Sequence, residues 1–270
     1  MIEKAVSGKN DRITIKTKKS QHSPWKNMEP PKETIPKRWV APCIFSDDLL
    51  PFMIREENTQ TVIPLGEDGL LEQHPEKETY WLKADKLYQR NKGKGKTTPQ
   101  TLLNQIDFSS KLSKQLPVTG EKSDFCQVVY NKSGQHLRAA RCSESMFIVE
   151  NSCYWWRTGS EEEAQYLVSF LNAQCLQDAY RECRKSDRDF NTHIWNGVPI
   201  PQYDPKNNQH RELANLCVQA ENFVSGMHEK LNFNYKQGKL SGDIKRALQE
   251  SGISKRIDET IKRILPNQIR

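Results

Sequence analysis

Apolar residues in this chain keep helical spacing most clearly behind Ser160, where Ala164, Leu167, Val168, Leu171, Cys175 and Ala179 recur. Such spacing stacks side chains on one face of an α-helix. Ser160 is a good N-cap, and Glu163 three residues later can reach back to its amide, completing a capping box. Glu161, Glu162 and Glu163 sit at the positive end of the helix dipole, and Arg181, Arg184 and Lys185 at the negative end. A longer apolar face of Leu213, Leu216, Cys217, Ala220, Phe223, Val224, Met227 and Leu231 predicts an amphipathic helix over 210–231. Shorter helical patterns cover 242–250 and 253–265, with Ser251-Gly252 between them and Pro266 after the second. Residues 79–90 and 101–112 are two further helix candidates.

Elsewhere the pattern favours strands. Residues 126–130, 136–140 and 146–150 read as three, and Gly134 in the 131–135 loop suits a hairpin between the first two. Between 36 and 80, short apolar runs are split by prolines and by Gly66-Glu67-Asp68-Gly69, which predicts short strands of an irregular sheet. Pro199 and Pro201 make 198–201 an extended crossing segment. The fold class is therefore α/β (α+β), an irregular mixed sheet with packed helices and a helical C-terminal tail. The division expected is a basic flexible arm (1–30), an N-terminal part (31–125), a core (126–206) and a spacer helix with basic tail (207–270). Within the arm, 13–17 could make one short strand.

Charge narrows the partners. A net charge of +7 favours a polyanion. Basic residues concentrate around Lys92, Lys94 and Lys96, interleaved with glycines, and again at Lys132, Arg138 and Arg141. Glycine lets backbone approach phosphates closely, and lysine neutralises them; a solvated surface loop is the alternative at both places. No apolar run is long enough to cross a bilayer and no apolar leader opens the sequence, so no membrane partner is expected. The seven cysteines include no Cys-x-x-Cys pair, which suits a reducing cytoplasm and argues against a zinc site.

Catalytic patterns are not found. The glycine spacing near Lys96 is not that of a P-loop. There is neither the Gly-rich turn that holds S-adenosylmethionine nor an Asn/Asp-Pro-Pro-aromatic loop for an adenine amino group. His193 and Asp204 could pair as base and orienter, but no nucleophile sits in a recognisable elbow.

One ordered set of residues carries a resemblance. It runs through Ile106-Asp107, Lys111-Leu112, Gln115, Val128-Val129-Tyr130, Gly134, Leu137, Ala139-Ala140 and Tyr154-Trp155. It continues with Glu163-Ala164, Tyr166-Leu167, Leu171-Asn172, Arg188, Phe190, His193-Ile194, Pro199-Ile200-Pro201, Asp204, His210 and Leu213-Ala214. This resembles the C-terminal target-recognition region of DNA adenine-N6 methyltransferases of type II and single-chain type I restriction–modification systems, from about 106 to 223. Ala173 stands where that pattern usually has serine. The resemblance implies a sequence-specific module for double-stranded DNA, with no cofactor of its own. S-adenosylmethionine would belong to a methylase domain or subunit, which flips the adenine out of the duplex. Lys92, Lys94 and Lys96 are then candidates for phosphate contacts, and Lys132, Gln135, Arg138 and Arg141 for phosphate or bases. Arg188 and His193 lie in the family motif, as DNA candidates or as braces of the fold. The alternative function is a protein-interaction subunit that docks a methylase or nuclease through the 210–231 helix without reading bases.

Overall fold

The computed structural model describes residues 2–7, 11–17, 31–55, 60–116, 126–142, 148–182, 189–190, 197–227 and 237–266. Strands β1 (Ile2–Ser7), β2 (Arg12–Thr17), β3 (Lys32–Pro36), β4 (Val40–Ile44), β5 (Leu49–Leu50), β6 (Met53–Ile54) and β7 (Gln60–Val62) come first. Helices α1 (Thr79–Asn91) and α2 (Leu102–Ile106) precede β8 (Cys126–Asn131), β9 (Ala139–Cys142), β10 (Ile148–Val149) and β11 (Cys153–Thr158). Helices α3 (Glu161–Asn172), α4 (Gln177–Glu182), α5 (Asn208–Gly226), α6 (Gln237–Glu250) and α7 (Ile253–Ile264) follow. The fold is mixed α/β, built as two units.

The first unit comprises residues 1–43, 58–123 and 146–148. Its N-terminal segment departs from the flexible arm expected for 1–30, because β1, β2 and β3 form an antiparallel sheet. The short strand expected at 13–17 is present as part of β2, and its alternation buries Ile15 with Ile35, Trp39, Tyr80 and Trp81. The Trp39 and Trp81 rings meet edge to face at 6.0 Å. Arg12 clamps the sheet to the start of α1, donating to both Glu78 carboxylate oxygens at 3.0 and 2.6 Å. Helix α1 matches its expected span. The second candidate, 101–112, is helical only to Ile106. Asp107 then accepts bonds from the Leu112 and Ser113 amides, and Ser109 and Ser110 take positive φ (59° and 55°). Local side-chain-to-backbone bonding outcompetes the helix there.

In the second unit (44–57, 124–145 and 149–270), β11, β8 and β9 make an antiparallel sheet with β8 in the centre. All six residues of β8 are buried, as suits a strand covered on both faces. Strand β11 was not anticipated as a strand; it pairs with β8 in the register Trp155↔Val129. Of the expected strand 136–140 only the end is strand, which instead runs from Ala139 to Cys142. Of 146–150, β10 alone is described as strand, while 143–147 lie outside the described residues.

Helix α3 covers the sheet and packs along α5, with α7 on the other side of α5. The Ser160 hydroxyl accepts from the Glu163 amide at 3.1 Å, so the expected cap is present. The reciprocal bond is shifted by one residue: Glu163 accepts from the Gly159 amide at 2.7 Å. The apolar face continues to Ala179 as expected, but the helix does not. Ala173 turns extended (φ −57°, ψ 131°), and Gln177 spans the break, donating to the Ala173 carbonyl and accepting from the Leu137 amide. Tyr166 anchors the α3–α5 seam, its ring 4.9 Å from Phe170, 5.4 Å from Tyr203 and 4.8 Å from His210. Its hydroxyl donates to the Pro201 carbonyl, fixing the proline-pinned segment. The Asn207 side chain caps α5, which is described to Gly226; 228–236 lie outside the described residues.

Candidate nucleic-acid interface

The connection from β8 to β9 is organised by a fully buried asparagine. Asn131 Nδ2 donates to the Ser133 carbonyl at 2.7 Å and the His136 carbonyl at 3.1 Å, while its Oδ1 accepts from the Arg138 amide at 2.6 Å. One side chain thus satisfies three backbone groups of a tight loop, replacing ladder bonds the loop cannot make. The Lys132 amide donates to Ser152, and its carbonyl accepts from Phe190. Gly134 sits at φ 135°, where any Cβ would be strained and would press to 3.3 Å from Asn131 Nδ2. A β-bridge also joins Ser133 to Asp189. The result is a fixed loop whose tip, Ser133 to Gln135, is exposed, with Lys132 half-buried beside it.

Asn172, in the Leu171-Asn172 pair of the motif, works from behind. Its amide group mimics a neighbouring strand at Ala139, accepting from that residue's amide at 3.1 Å and donating to its carbonyl at 2.8 Å. The pair joins helix α3 to the sheet at the base of the loop.

The two arginines that follow the loop have opposite fates. Arg141 is committed to the protein: its Nε and Nη2 meet Glu221 at 2.7 and 2.9 Å, and its Nη1 meets Glu161 at 2.6 Å. Burial works against its charge, but the Glu221 hydrogen bond and the charges of Glu221 and Glu161 raise its pKa overall. Three of its five N–H donors, including the whole Nε–Nη2 edge, are thus engaged within the protein. Arg141, expected as a DNA contact, is therefore a brace between β9 and α5. Arg138 Nε, by contrast, is buried and meets no acceptor among the described residues. Burial lowers its pKa, while Cys153 and Asp47 act on it through space.

In the first unit, the glycine–lysine segment follows α1 directly. Lys92 is folded back, its Nζ donating to the Gln100 carbonyl at 2.9 Å and lying 5.9 Å from the centre of the Tyr88 ring. Lys94 and Lys96 are exposed. Arg188 and His193 lie outside the described residues. The structure therefore groups Lys132, Gln135, Arg138 and Arg141 in the second unit, and Lys92, Lys94 and Lys96 in the first.

Three features of this region were not assigned from the sequence. Asn131 was read as an ordinary loop residue, although an Asn at a strand end before a Gly is itself a turn signal. Trp156 is 44% exposed on the edge strand β11, next to Trp155, over which Arg157 lies at 5.6 Å. Lys245, on α6, has a buried Nζ without an acceptor among the described residues; nothing in the sequence marks it.

Reactive groups are scarce. No group of three or more His, Cys, Asp or Glu suited to a metal occurs among the described residues. The described cysteines are free thiols, and burial pushes Cys153 and Cys175 up to about 12. His210 accepts the Asp204 amide on Nδ1, and burial lowers its pKa, so it is a neutral structural imidazole. Two open clefts are present: about 440 Å³ lined by Asp107, Ser109 and Ser113, and about 430 Å³ lined by Ser160, Tyr203 and Arg211. In the first the Ser113 hydroxyl donates to Asp107, which also holds the turn after α2, and in the second Ser160 caps α3. No described helix is long and apolar enough to cross a membrane. The chain matches no family model, and no curated protein sequence matches it.

Proposed function

We propose that this chain is a recognition module for double-stranded DNA that serves an adenine-N6 DNA methyltransferase domain or subunit of a restriction–modification system. The observation that carries this reading is the β8–β9 connection: a loop fixed by Asn131 presents Ser133, Gly134 and Gln135, flanked by Lys132 and Arg138. A polar side chain such as Gln135 held on a rigid scaffold can pair bidentately with an adenine edge, and flanking cations supply phosphate contacts. The order of motif residues supports it further, because Asn172, Ala139, Tyr166, Pro201 and His210 are the residues that tie this loop's scaffold together. In this reading the chain contributes no catalytic group, and S-adenosylmethionine is bound by the methylase.

The interaction-subunit alternative needs the apolar face of α5 for docking. Leu213, Leu216, Cys217, Ala220 and Val224 on that face are fully buried within the second unit, against α3 and α7. That leaves the DNA reading as the one the geometry favours.

The test is a titration of fluorescent duplex with the full chain across salt concentrations. Affinity should fall steeply with salt, and replacing Lys92, Lys94 and Lys96 together by Ala should flatten the slope by up to about three units. With S-adenosylmethionine the chain alone should transfer no methyl group to DNA. No duplex binding at low salt would overturn the proposal.

A further inference from the structure

The outward face of α1 and the loop after it expose cations that have no partner among the described residues. Helix α1 buries Tyr80, Trp81 and Tyr88 against the first unit. Helical geometry then turns Lys86 and Arg90 outward, one turn apart, with the exposed Leu82 one turn before them. Lys94 and Lys96 follow in the loop and are exposed as well. None of the side chains of Lys86, Arg90, Lys94 and Lys96 meets an acceptor or a carboxylate among the described residues.

The acids around them are all engaged. Between 76 and 107 these are Glu76, Glu78, Asp85 and Asp107. Glu76 pairs with His74 and Glu78 with Arg12, while Asp85 accepts from the Leu102 amide at 2.7 Å and Asp107 from the Leu112 and Ser113 amides. The remaining cations of α1 and the loop are engaged too, since Lys83 pairs with Glu33 and Lys92 donates to the Gln100 carbonyl. A helix dipole favours a cation in the last turn, which suits Arg90 but offers nothing to Lys86 or to the loop lysines. The loop itself is fastened at its base. Tyr88 donates its hydroxyl to the Pro99 carbonyl at 2.7 Å, and Gln89 Nε2 donates to the Gln100 carbonyl at 2.6 Å. Lys94 and Lys96 therefore project from a held turn, with Gly93 and Gly95 leaving the backbone beside them open to close approach. Base readout would want amide or carboxylate groups among the cations; the nearest, Gln89 and Asp85, are committed. What this face offers is a row of accessible positive charge, which a chain of phosphates complements.

We propose that Lys86 and Arg90 on α1, together with Lys94 and Lys96, lie along the phosphate backbone of a DNA strand and bind it without regard to sequence. This rests on the DNA reading above. Helix α1 lies outside the stretch that carries the resemblance, and Lys86 and Arg90 are new to the candidate set.

The experiment compares the full chain as wild type, as Lys86→Gln with Arg90→Gln, as Lys94→Gln with Lys96→Gln, and with all of these changes together. Labelled duplexes of several sequences are titrated across salt, and melting is followed in parallel. Each pair of changes should lower the salt slope by about two, and the full set by about four, with the same loss for every sequence. Glutamine is a good helix former, so every variant should melt with wild type. Arg246→Gln with Lys255→Gln removes as much charge from cations that have carboxylate partners on α6 and α7, and should leave the slope unchanged. An equal drop there would reduce the effect to net charge and overturn the inference. A lower melting temperature of the Lys86 and Arg90 variant with an unchanged slope marks a structural role and also overturns it. Loss confined to some sequences would make Arg90 a base reader and overturn the backbone assignment. Poly-L-glutamate that displaces duplex as well as unlabelled duplex of equal charge does would overturn the nucleic-acid assignment of this face. Wild type that binds duplex with the same slope as the Lys86 and Arg90 variant overturns this inference and leaves the DNA reading intact. Wild type that binds no duplex overturns the DNA reading itself.

Discussion

Removing Glu221 should cost more stability than removing any surface carboxylate of this protein. Its side chain is 15% exposed and that of Arg141 18%, whereas the second partner, Glu161, is 59% exposed. Without Glu221 the guanidinium keeps one hydrogen bond to a solvated carboxylate and remains buried on its other edge. Breaking one side of a buried pair typically costs about 3–5 kcal/mol, and the partial exposure here places the expectation near the lower end, about 3 kcal/mol for Glu221→Ala. Arg141→Met should cost about as much, because it strands the Glu221 charge. Glu161→Ala should cost below about 1 kcal/mol, in line with exposed pairs. The double variant Arg141→Met with Glu221→Met removes both charges and should recover most of the loss. Native-state hydrogen exchange at amides of α3 and α5, under increasing urea, reads these differences within the second unit. The reasoning fails if Arg141→Met stays within about 0.5 kcal/mol of wild type. It fails more informatively if the same variant changes which duplex sequence is preferred, since Arg141 would then be reading a base and not bracing β9.

Ser160→Ala removes the bond to the Glu163 amide and should destabilise the second unit by roughly 0.5–2 kcal/mol, read as a shift of the urea midpoint at constant slope. Cys153 and Cys175, pushed up to about 12, should resist iodoacetamide at pH 8 until the protein unfolds; mass spectrometry showing alkylation in the folded state at a free-thiol rate would refute this. Lys245, with its folded pKa pushed down from 10.5 to about 8, carries an unfolded state that holds the extra proton between those values. Its contribution to stability is therefore unfavourable below pH 8 and is relieved as pH rises towards 10.5, so wild type should gain on Lys245→Met across that window. His210 has a lowered pKa, so the stability of its neutral form is present above the unfolded value of 6.5 and is lost as pH falls below it; His210→Gln should flatten that acid limb of the urea-midpoint profile.

The helices were legible because their information is local. Ser160, the apolar face behind it and Gly252 between α6 and α7 act over a few residues, and each sits where its spacing indicated. Strands were harder. Strand β2 was legible over 13–17, but the sheet around it was not, because it depends on pairing with β1 and β3 and on Glu78, far along the chain. Strand β11 was visible as Tyr154-Trp155-Trp156 but not as a strand, because its pairing with β8 depends on residues more than twenty positions away. The end of α3 was misjudged for a similar reason: the apolar face runs on, while the backbone yields at Ala173 to bonds from Gln177. Of the candidate site, the cations could be named from the sequence but their availability could not. That depends on acids and lysines brought in by α5 and α6.

Arg138 and Arg141 show why availability decides the function of such a surface. They share a residue type, a hairpin and a charge, and a sequence pattern gives them equal claim on DNA. Arg141 meets Glu221 in two bonds and Glu161 in a third, so moving it onto a duplex would first require breaking a half-buried ion pair. Arg138 has its amide fixed by Asn131 and its Nε buried without an acceptor among the described residues, so it carries a desolvation cost that Arg141 does not. The first arrangement lowers the free energy of the folded chain on its own. The second leaves a buried cationic nitrogen without an acceptor among the described residues, and Lys245 Nζ is another; each loses hydration that those residues do not replace. Here the Arg141 ion pair, three residues along the chain, ties the strand beside Arg138 to α5.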